Sequence, residues 1–202
     1  MPTPTPVNGY CTVQELAREI FGPDDSAVPN AVDDQVLADA ITDASRDVDN
    51  YCRRQFFATA KTLSLDAPVP YDRQIWFRVD VLAVQGASDG NGASIPGTEF
   101  YLWPRGAQSY AAAIVNANSS YGWFGGSVGV VEGAISIAAS VGFVDRGASD
   151  PGSVQVVSAT HRATLIKAAM LYRQRKPQSK LATYLTDADW QPLLDGYVRT
   201  LY

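Results

Sequence analysis

Residues with the chemistry to support catalysis are few in this 202-residue chain. His161 is the only histidine, which excludes a metal site built on two or more histidines. Cys11 and Cys52 are the only cysteines, too few for a disulfide scaffold and without metal-ligand spacing. His161 could act as a general base for Cys52, but it is more simply a polar residue on an exposed or interfacial side of its helix. We therefore predict no catalytic residue, no cofactor, no metal ligand and no enzymatic activity.

Three carboxylates recur at four-residue steps in the first half of the chain. Asp39, Asp43 and Asp47 would line one side of a helix, where they could hold a divalent cation. A solvated side, or one that meets basic residues of a neighbour, is the simpler interpretation. The segment Asp89-Gly90-Asn91-Gly92 resembles the start of a calcium loop but lacks the later acids, so it predicts a turn.

Charge is distributed unevenly along the sequence. Residues 1–50 contain ten acidic and two basic residues, whereas residues 161–180 contain six basic and no acidic ones. The net charge of -5 argues against a general nucleic-acid binder. Opposite charges at the two ends could be satisfied within one molecule or between copies. The candidate residues for an interface with another protein molecule are Asp39, Asp43, Asp47, Arg162, Lys167, Arg173, Arg175, Lys176 and Lys180.

The N-terminal region predicts a flexible arm over 1–9 and then a short helix. Thr12 and Glu15 have the spacing of a capping box, in which each side chain bonds the backbone amide of the other residue. The helix is expected from Val13 to Phe21, ended by the Gly-Pro pair that follows.

A longer helix is predicted over 34–54, with Asp33 or Asp34 as its N-terminal cap. Its apolar residues recur at three- and four-residue steps and form one stripe, comprising Val36, Leu37, Ala40, Ile41, Ala44, Val48 and Tyr51.

Two further helices are predicted after the middle of the chain. One covers about 153–174, and the other begins near Thr186, with Asp189 at capping-box distance. Because proline is best tolerated in a first turn, Pro192 could move the start of this last helix a few residues later.

The middle of the chain, about 60–146, predicts an antiparallel β-rich insertion, a small sandwich or barrel. Its strand candidates are short apolar runs separated by Gly, Asn and Ser, at 62–65, 75–79, 81–84, 100–103, 112–115, 128–131, 135–137 and 141–144. The most apolar stretch, 129–144, falls short of the ~20 residues that span a bilayer, so no membrane association is expected.

The predicted fold class is α+β, a small helical bundle built from both termini with this insertion between them. The helical domain would comprise 10–59 and 147–202. The abundant aromatic residues, including Trp123 on a glycine-rich loop, fit a core or a subunit interface better than a ligand site.

The N-terminal sequence resembles the opening of head–tail connector proteins, also called adaptor or head-completion proteins, of long-tailed bacteriophages. The similarity lies in Tyr10-Cys11-Thr12-Val13-Gln14-Glu15-Leu16 and in the segment from Ile41 to Phe56, which contains Ala44-Ser45, Asp49-Asn50-Tyr51-Cys52 and Arg54. It covers residues 10–57 well and 82–105 and 153–176 more weakly. Val48 stands where the family usually has isoleucine.

This resemblance implies a structural subunit of a ring, usually twelve-fold, that joins the portal vertex of the capsid to the tail. The implied partners are the portal protein on one face, a stopper or tail-terminator protein on the other, and identical copies at the sides. Double-stranded DNA would pass through the lumen without specific binding. The protein would be assembled in the host bacterial cytoplasm and reside at the virion neck.

Within such a ring, the acidic helix 34–54 of one copy could face the basic 162–180 stretch of the next. In a competing arrangement, the basic residues of this interface set contact the portal. Two alternatives remain at this point: another tail or neck completion or decoration protein, and a carbohydrate-binding β-sandwich module or small hydrolase.

Overall fold

The computed structural model describes residues 5–22, 31–68, 72–123, 133–144, 157–175 and 186–199. The chain divides into two compact units. One combines Met1–Phe56 with Val156–Tyr202, and the other is Phe57–Gln155. The described helices belong to the first unit and the described strands to the second, so the predicted α+β class is confirmed.

The helical unit contains four described α-helices. They are α1, Val13–Phe21; α2, Ala31–Cys52; α3, Ser158–Arg175; and α4, Asp187–Trp190. Helix α1 has the predicted bounds and the predicted capping box. The Glu15 amide donates to Thr12 Oγ1 at 3.2 Å, and the Thr12 amide donates to Glu15 Oε2 at 2.7 Å. Local sequence therefore fixes where this helix begins.

Three helix boundaries differ from the prediction. Helix α2 begins at Ala31, so Asp33 and Asp34 lie in its first turn and are not its cap, although they still oppose the positive end of the helix dipole. Helix α3 begins at Ser158, and the predicted start near 153 lies outside the described residues. The last helix continues after Trp190 only as two 3₁₀ turns, Gln191–Leu193 and Asp195–Tyr197, because Pro192 has no amide to donate to the preceding turn.

Helices α1, α2 and α3 share one apolar core. The predicted α2 stripe is largely confirmed, since all of its members except Val36 and Tyr51 are fully buried, and those two are partly buried. Helix α3 contributes Ala168, Ala169 and Tyr172, and the Tyr172 ring meets Phe21 of α1 edge to face, with centroids 5.9 Å apart. Small residues on α3 permit close approach of α2.

The second unit contains one antiparallel sheet with the order β1-β6-β2-β5-β4, in which β3 pairs with β2. Its strands are β1, Thr59–Leu65; β2, Gln74–Ser88; β3, Ser94–Ile95; β4, Phe100–Trp103; β5, Tyr110–Val115; and β6, Ile135–Val141. The sequence left a sandwich and a barrel open. The described strands belong to one hydrogen-bonded sheet, whereas a sandwich requires two.

Strand β2 merges two predicted strands, 75–79 and 81–84, into one. Register shifts near Val81 and between Val84 and Gly86 show where the strand is irregular, and they allow it to pair with β5 at one end and β6 at the other. The predicted strand at 128–131 lies outside the described residues. The strand expected at 141–144 is the end of β6, which stops before Gly142 at a φ of 142°.

The turn predicted at Asp89–Gly92 is confirmed. The Asp89 carboxylate accepts hydrogen bonds from the amides of Asn91 at 2.9 Å and Ala93 at 2.8 Å. Gly92 has a φ of 79°, which glycine adopts without strain. This segment therefore uses its aspartate to close a turn.

Candidate interface surfaces

The residues that carry the family resemblance form a buried hydrogen-bond network at the end of α2. Tyr10 donates its hydroxyl hydrogen to Asp49 Oδ1 at 2.5 Å, and the amide of Phe56 donates to the Tyr10 hydroxyl at 2.9 Å. The same amide lies 3.3 Å from Asp49 Oδ1, and Arg46 forms an ion pair with the other carboxylate oxygen at 3.3 Å. The motif thus positions the chain before α1 and the chain after α2.

The segment before α1 lies along α2 through backbone hydrogen bonds. The Tyr10 amide donates to Ser45 Oγ at 3.2 Å, and the Val7 amide donates to Thr42 Oγ1 at 3.3 Å. Arg46 donates to the carbonyl of Asn8 at 2.9 Å. Residues 7–10 of the chain are therefore held by polar side chains of α2.

Burial dominates the electrostatics of this network. It raises the pKa of Asp49 to about 6, although the Tyr10 hydroxyl, Arg46 and the Phe56 amide all favour the ionised form. Burial and the nearby Asp49 carboxylate also raise the pKa of Tyr10. The phenol therefore remains the hydrogen donor of the pair.

The acidic and basic ends of the sequence meet within one chain. Arg175 of α3 lies 2.5 Å from Asp43 of α2, and Lys167 lies 3.4 Å from Asp47. The charge pattern left open whether the opposite charges pair within one molecule or between copies, and these two contacts lie within one molecule. The Arg175–Asp43 pair remains on the surface, with 41% and 55% of the side chains exposed, and could still contact another molecule.

The other residues of the predicted interface take no part in these two ion pairs between α2 and α3. Arg162 pairs with Glu19 of α1 at 3.2 Å. Asp39 is exposed and accepts a hydrogen bond from Gln35 at 2.8 Å. Arg173 lies on α3 and has further contacts of its own. The last two predicted residues, Lys176 and Lys180, lie outside the described residues.

Lys167 is the most enclosed of the predicted interface residues that pair within the chain. Its side chain is only 14% exposed, and its ammonium lies 3.0 Å from Asp187 and 5.3 Å from the centre of the Trp190 ring. Burial opposes its charge, but the hydrogen bonds and charges of Asp187 and Asp47 raise its pKa above the ordinary value. Trp190 also donates its indole hydrogen to Asp187 at 2.8 Å. Lys167 therefore attaches α4 to α3.

The cysteines and the histidine that were considered for catalysis lie in the helical unit, where the cysteines are buried and the histidine contacts a carboxylate. Burial raises the pKa of Cys11 and of Cys52 to about 12, so neither thiol ionises readily. His161 lies 3.3 Å from Glu15 of α1. Burial opposes ionisation of Glu15, but hydrogen bonds from Thr12 and His161 hold its pKa below the ordinary value. Within the described part of the chain, no group of three or more His, Cys, Asp or Glu side chains could hold a metal ion.

Two exposed tryptophans that were not predicted to form a pair lie together on the sheet. Trp76 of β2 is 59% exposed and Trp103 of β4 is 43% exposed, and their ring centroids lie 5.7 Å apart. Trp123 is instead fully buried and packs against Phe100, as expected for a core aromatic. The alternation of Trp76 with its apolar neighbours Ile75 and Phe77 could have revealed that it faces away from the core.

No family model matches this chain, and neither does any curated protein. Solved structures do match. A chain in the neck of an empty gene transfer agent (GTA) particle with C6 symmetry is 15% identical, covers 100% of this chain and 95% of its own length, and has a TM-score of 0.61. The virion of a native GTA particle contains a 13% identical match with the same coverage and a TM-score of 0.58.

A third match lies in the neck of a native GTA particle with C12 symmetry. It is 15% identical, covers 94% of this chain and 90% of the other, and has a TM-score of 0.57. At this identity the comparisons establish a shared fold. Two of these three structural neighbours are chains of particle necks, in agreement with the resemblance to head–tail connector proteins. Among the described helices, none is long and apolar enough to cross a membrane.

Proposed function

We propose that this protein is a structural subunit of the neck of a virion or virion-like particle, where its copies form the ring between portal and tail. The observation that carries the proposal is the match to a GTA neck chain over 100% of this chain, at a TM-score of 0.61. The match spans both units, so it does not rest on a common helical bundle alone. The motif residues support it because their roles are in packing, as a structural subunit requires.

A closed ring explains why exposed charges persist on the helical unit. In a cyclic ring every copy uses one surface toward one neighbour and a different surface toward the other. The matched neck structures were computed with C6 and C12 symmetry, and a twelve-fold ring is the arrangement we propose for this chain. The exposed candidates for side or portal contacts are Asp39, Asp43, Arg162 and Arg175.

The overall acidity of the chain suits a channel through which DNA slides. Phosphate binding by clustered lysine and arginine strengthens with each contact and would slow the duplex. The net charge of -5 favours weak contact with the duplex. The proposed partners are therefore the portal protein, a stopper or tail-terminator protein and identical copies, with DNA as a passing cargo.

Binding to the portal ring tests this function. Full-length protein is mixed with purified portal rings from the same particle, and complexes are imaged by electron microscopy. We expect a stoichiometric ring of this chain on one end of the portal. Absence of binding, together with necks that contain no copy of this chain, would refute the function.

A charge reversal tests the proposed surface charges in the same assay. Asp43→Arg should weaken ring assembly if the Asp43 surface lies at a contact between subunits or with the portal. Lys61→Glu, a charge reversal at an exposed residue of β1, is the matched control and should assemble normally. Equal assembly by both variants would exclude Asp43 from the interface.

A carbohydrate-binding module is the second candidate, because the exposed Trp76 and Trp103 could stack on sugars. Their ring planes are inclined by 83°, however, so the two indoles do not form one flat platform. Binding of the intact protein to a glycan array, lost in a Trp76→Ala variant, would favour this function over the neck subunit.

A further inference from the structure

One face of the sheet packs on the core of the β unit, and the other face carries aromatic residues. Ile75, Phe77 and Ala113 belong to the core, so the residues that alternate with them point away from it. We call this outward side of β2, β5 and β4 the tryptophan face, and it comprises Gln74, Trp76, Ala112, Ile114, Tyr101 and Trp103.

Strand register explains why the two indoles meet. Trp76 is opposite Ala112 on β5, and Ala112 is opposite Trp103 on β4. Because Ala112 contributes only a methyl group, the rings reach each other above it and meet edge to face at 83°. Ala112 is 0% exposed as a result of this cover. The register of three adjacent strands therefore brings the two indoles together.

Exposure of these rings is costly in water and typical of a binding surface. The other two tryptophans, Trp123 and Trp190, are 0% and 3% exposed. Beside the pair, the Arg105 guanidinium lies over the Tyr101 ring, 4.4 Å from its centroid. Tryptophan, tyrosine and arginine are the residues that dominate binding energy at protein interfaces. The six residues of the tryptophan face include no carboxylate, so a partner with acidic groups would complement Arg105.

We propose that the tryptophan face binds a second copy of this chain, on the side of α2 that carries Asp39. This inference rests on the proposed ring function, since a ring gives every copy such a neighbour. Charge complementarity points to α2. Asp43 and Asp47 pair with Arg175 and Lys167 of their own chain, whereas among the described residues Asp39 has a hydrogen bond from the neutral Gln35 and no ion pair.

The contact is heterologous, because the two surfaces that meet are different parts of the chain. Each copy presents its tryptophan face to one neighbour and its Asp39 side to the other, which closes a ring when the rotation between copies is a whole fraction of a turn. Burial of the two indoles would supply affinity, and the Arg105–Asp39 pair would fix the orientation.

Sedimentation velocity of the full-length chain over a concentration series tests the contact. We expect the wild-type chain to self-associate, and a Trp76→Ala/Trp103→Ala variant to associate at least about 30-fold more weakly. Tyr121→Ala is the matched control, since Tyr121 is an exposed aromatic of the same unit that is not one of the six residues of the tryptophan face, and it should associate like wild type. A wild-type chain that stays monomeric, or a double variant that associates normally, overturns the proposal.

Charge reversals test the α2 side and do not depend on removing large side chains. Arg105→Glu and Asp39→Arg should each weaken association, and the chain that carries both should regain it because the pair is restored in reverse. Failure of the combined variant to recover overturns the assignment to α2. Glycan binding that requires Trp76 overturns the choice of a second copy as occupant.

The portal-binding experiment separates this inference from the proposed function. A monomeric chain, or a tryptophan variant, that still forms a complete ring on the portal overturns the tryptophan-face contact and leaves the neck function standing. Self-association through the tryptophan face by a chain absent from necks supports the contact and refutes the neck function.

Discussion

Replacement of Asp49 by asparagine tests whether burial outweighs the hydrogen bonds and the Arg46 charge in setting the pKa of Asp49. In the native protein burial raises the pKa of Asp49 to about 6, from an ordinary value of 3.8. The native state therefore binds a proton more tightly than the unfolded chain does. Stability must fall as pH rises from about 4 to 6, where the unfolded chain has already lost the proton that the native state retains.

The size of this effect follows from the pKa difference. The difference is about two pH units, each worth ~1.4 kcal/mol, and part of it is already lost at pH 4, so the native protein should lose roughly 2 kcal/mol between pH 4 and 7 through Asp49 alone. Asparagine cannot ionise, yet its side-chain oxygen can still accept hydrogen bonds from Tyr10 and Phe56. Asp49→Asn should therefore lack this part of the pH dependence.

Urea unfolding followed by helical circular dichroism measures the difference across pH values. We expect the free energy of unfolding of wild type, minus that of Asp49→Asn, to fall by roughly 2 kcal/mol from pH 4 to 7. Asp39→Asn is the matched control, because Asp39 is an exposed carboxylate on the same helix. A difference that rises with pH would refute the reasoning, since it would mean that Tyr10, Arg46 and the Phe56 amide outweigh burial.

Three further substitutions or treatments address packing, thiol chemistry and surface charge. Gly142→Ala should lower the free energy of unfolding of the β unit by at least ~2 kcal/mol, because Gly142 has a positive φ and the new methyl group would clash with the carbonyl of Phe57. Gly86 has open space around it, so Gly86→Ala should lower the free energy of unfolding by less, as measured by urea unfolding. The two buried cysteines, whose pKa burial raises to about 12, should react slowly with a thiol reagent until the protein is unfolded; rapid labelling of folded protein would contradict this. Arg175→Ala should change the free energy of unfolding by less than about 1 kcal/mol, because its ion pair is on the surface, and a loss well above that would show a larger structural role.

Local signals in the sequence predicted the elements whose boundaries depend on nearby residues. The α1 capping box, the Asp89–Gly92 turn and the α2 stripe each need only residues within a few positions of one another, and all three are observed. Boundaries set by distant contacts were predicted less well. Strand β2 is one strand because β5 and β6 pair with its two ends, and its own sequence does not encode that pairing.

For the candidate surfaces too, local sequence predicted the residue types but not the contacts between distant residues. Their charges were evident from composition, but which charges pair was not. Asp43 meets Arg175 and Asp47 meets Lys167 only because α2 and α3, more than a hundred residues apart in sequence, pack side by side. The tryptophan face went unnoticed because Trp76 and Trp103 lie on different strands, and strand register alone brings them together over Ala112.

The sequence by itself determined the two-part division into helical ends and a β-rich middle, the capped start of α1 and the scarcity of catalytic side chains, because each follows from residue type and short-range spacing. Only the tertiary structure decided that Tyr10 and Asp49 share a buried hydrogen bond, that the charged ends meet within one chain, and that two tryptophans stand exposed together. Those contacts join residues far apart in the chain, and their formation depends on the packing of whole helices and strands, which no local pattern specifies.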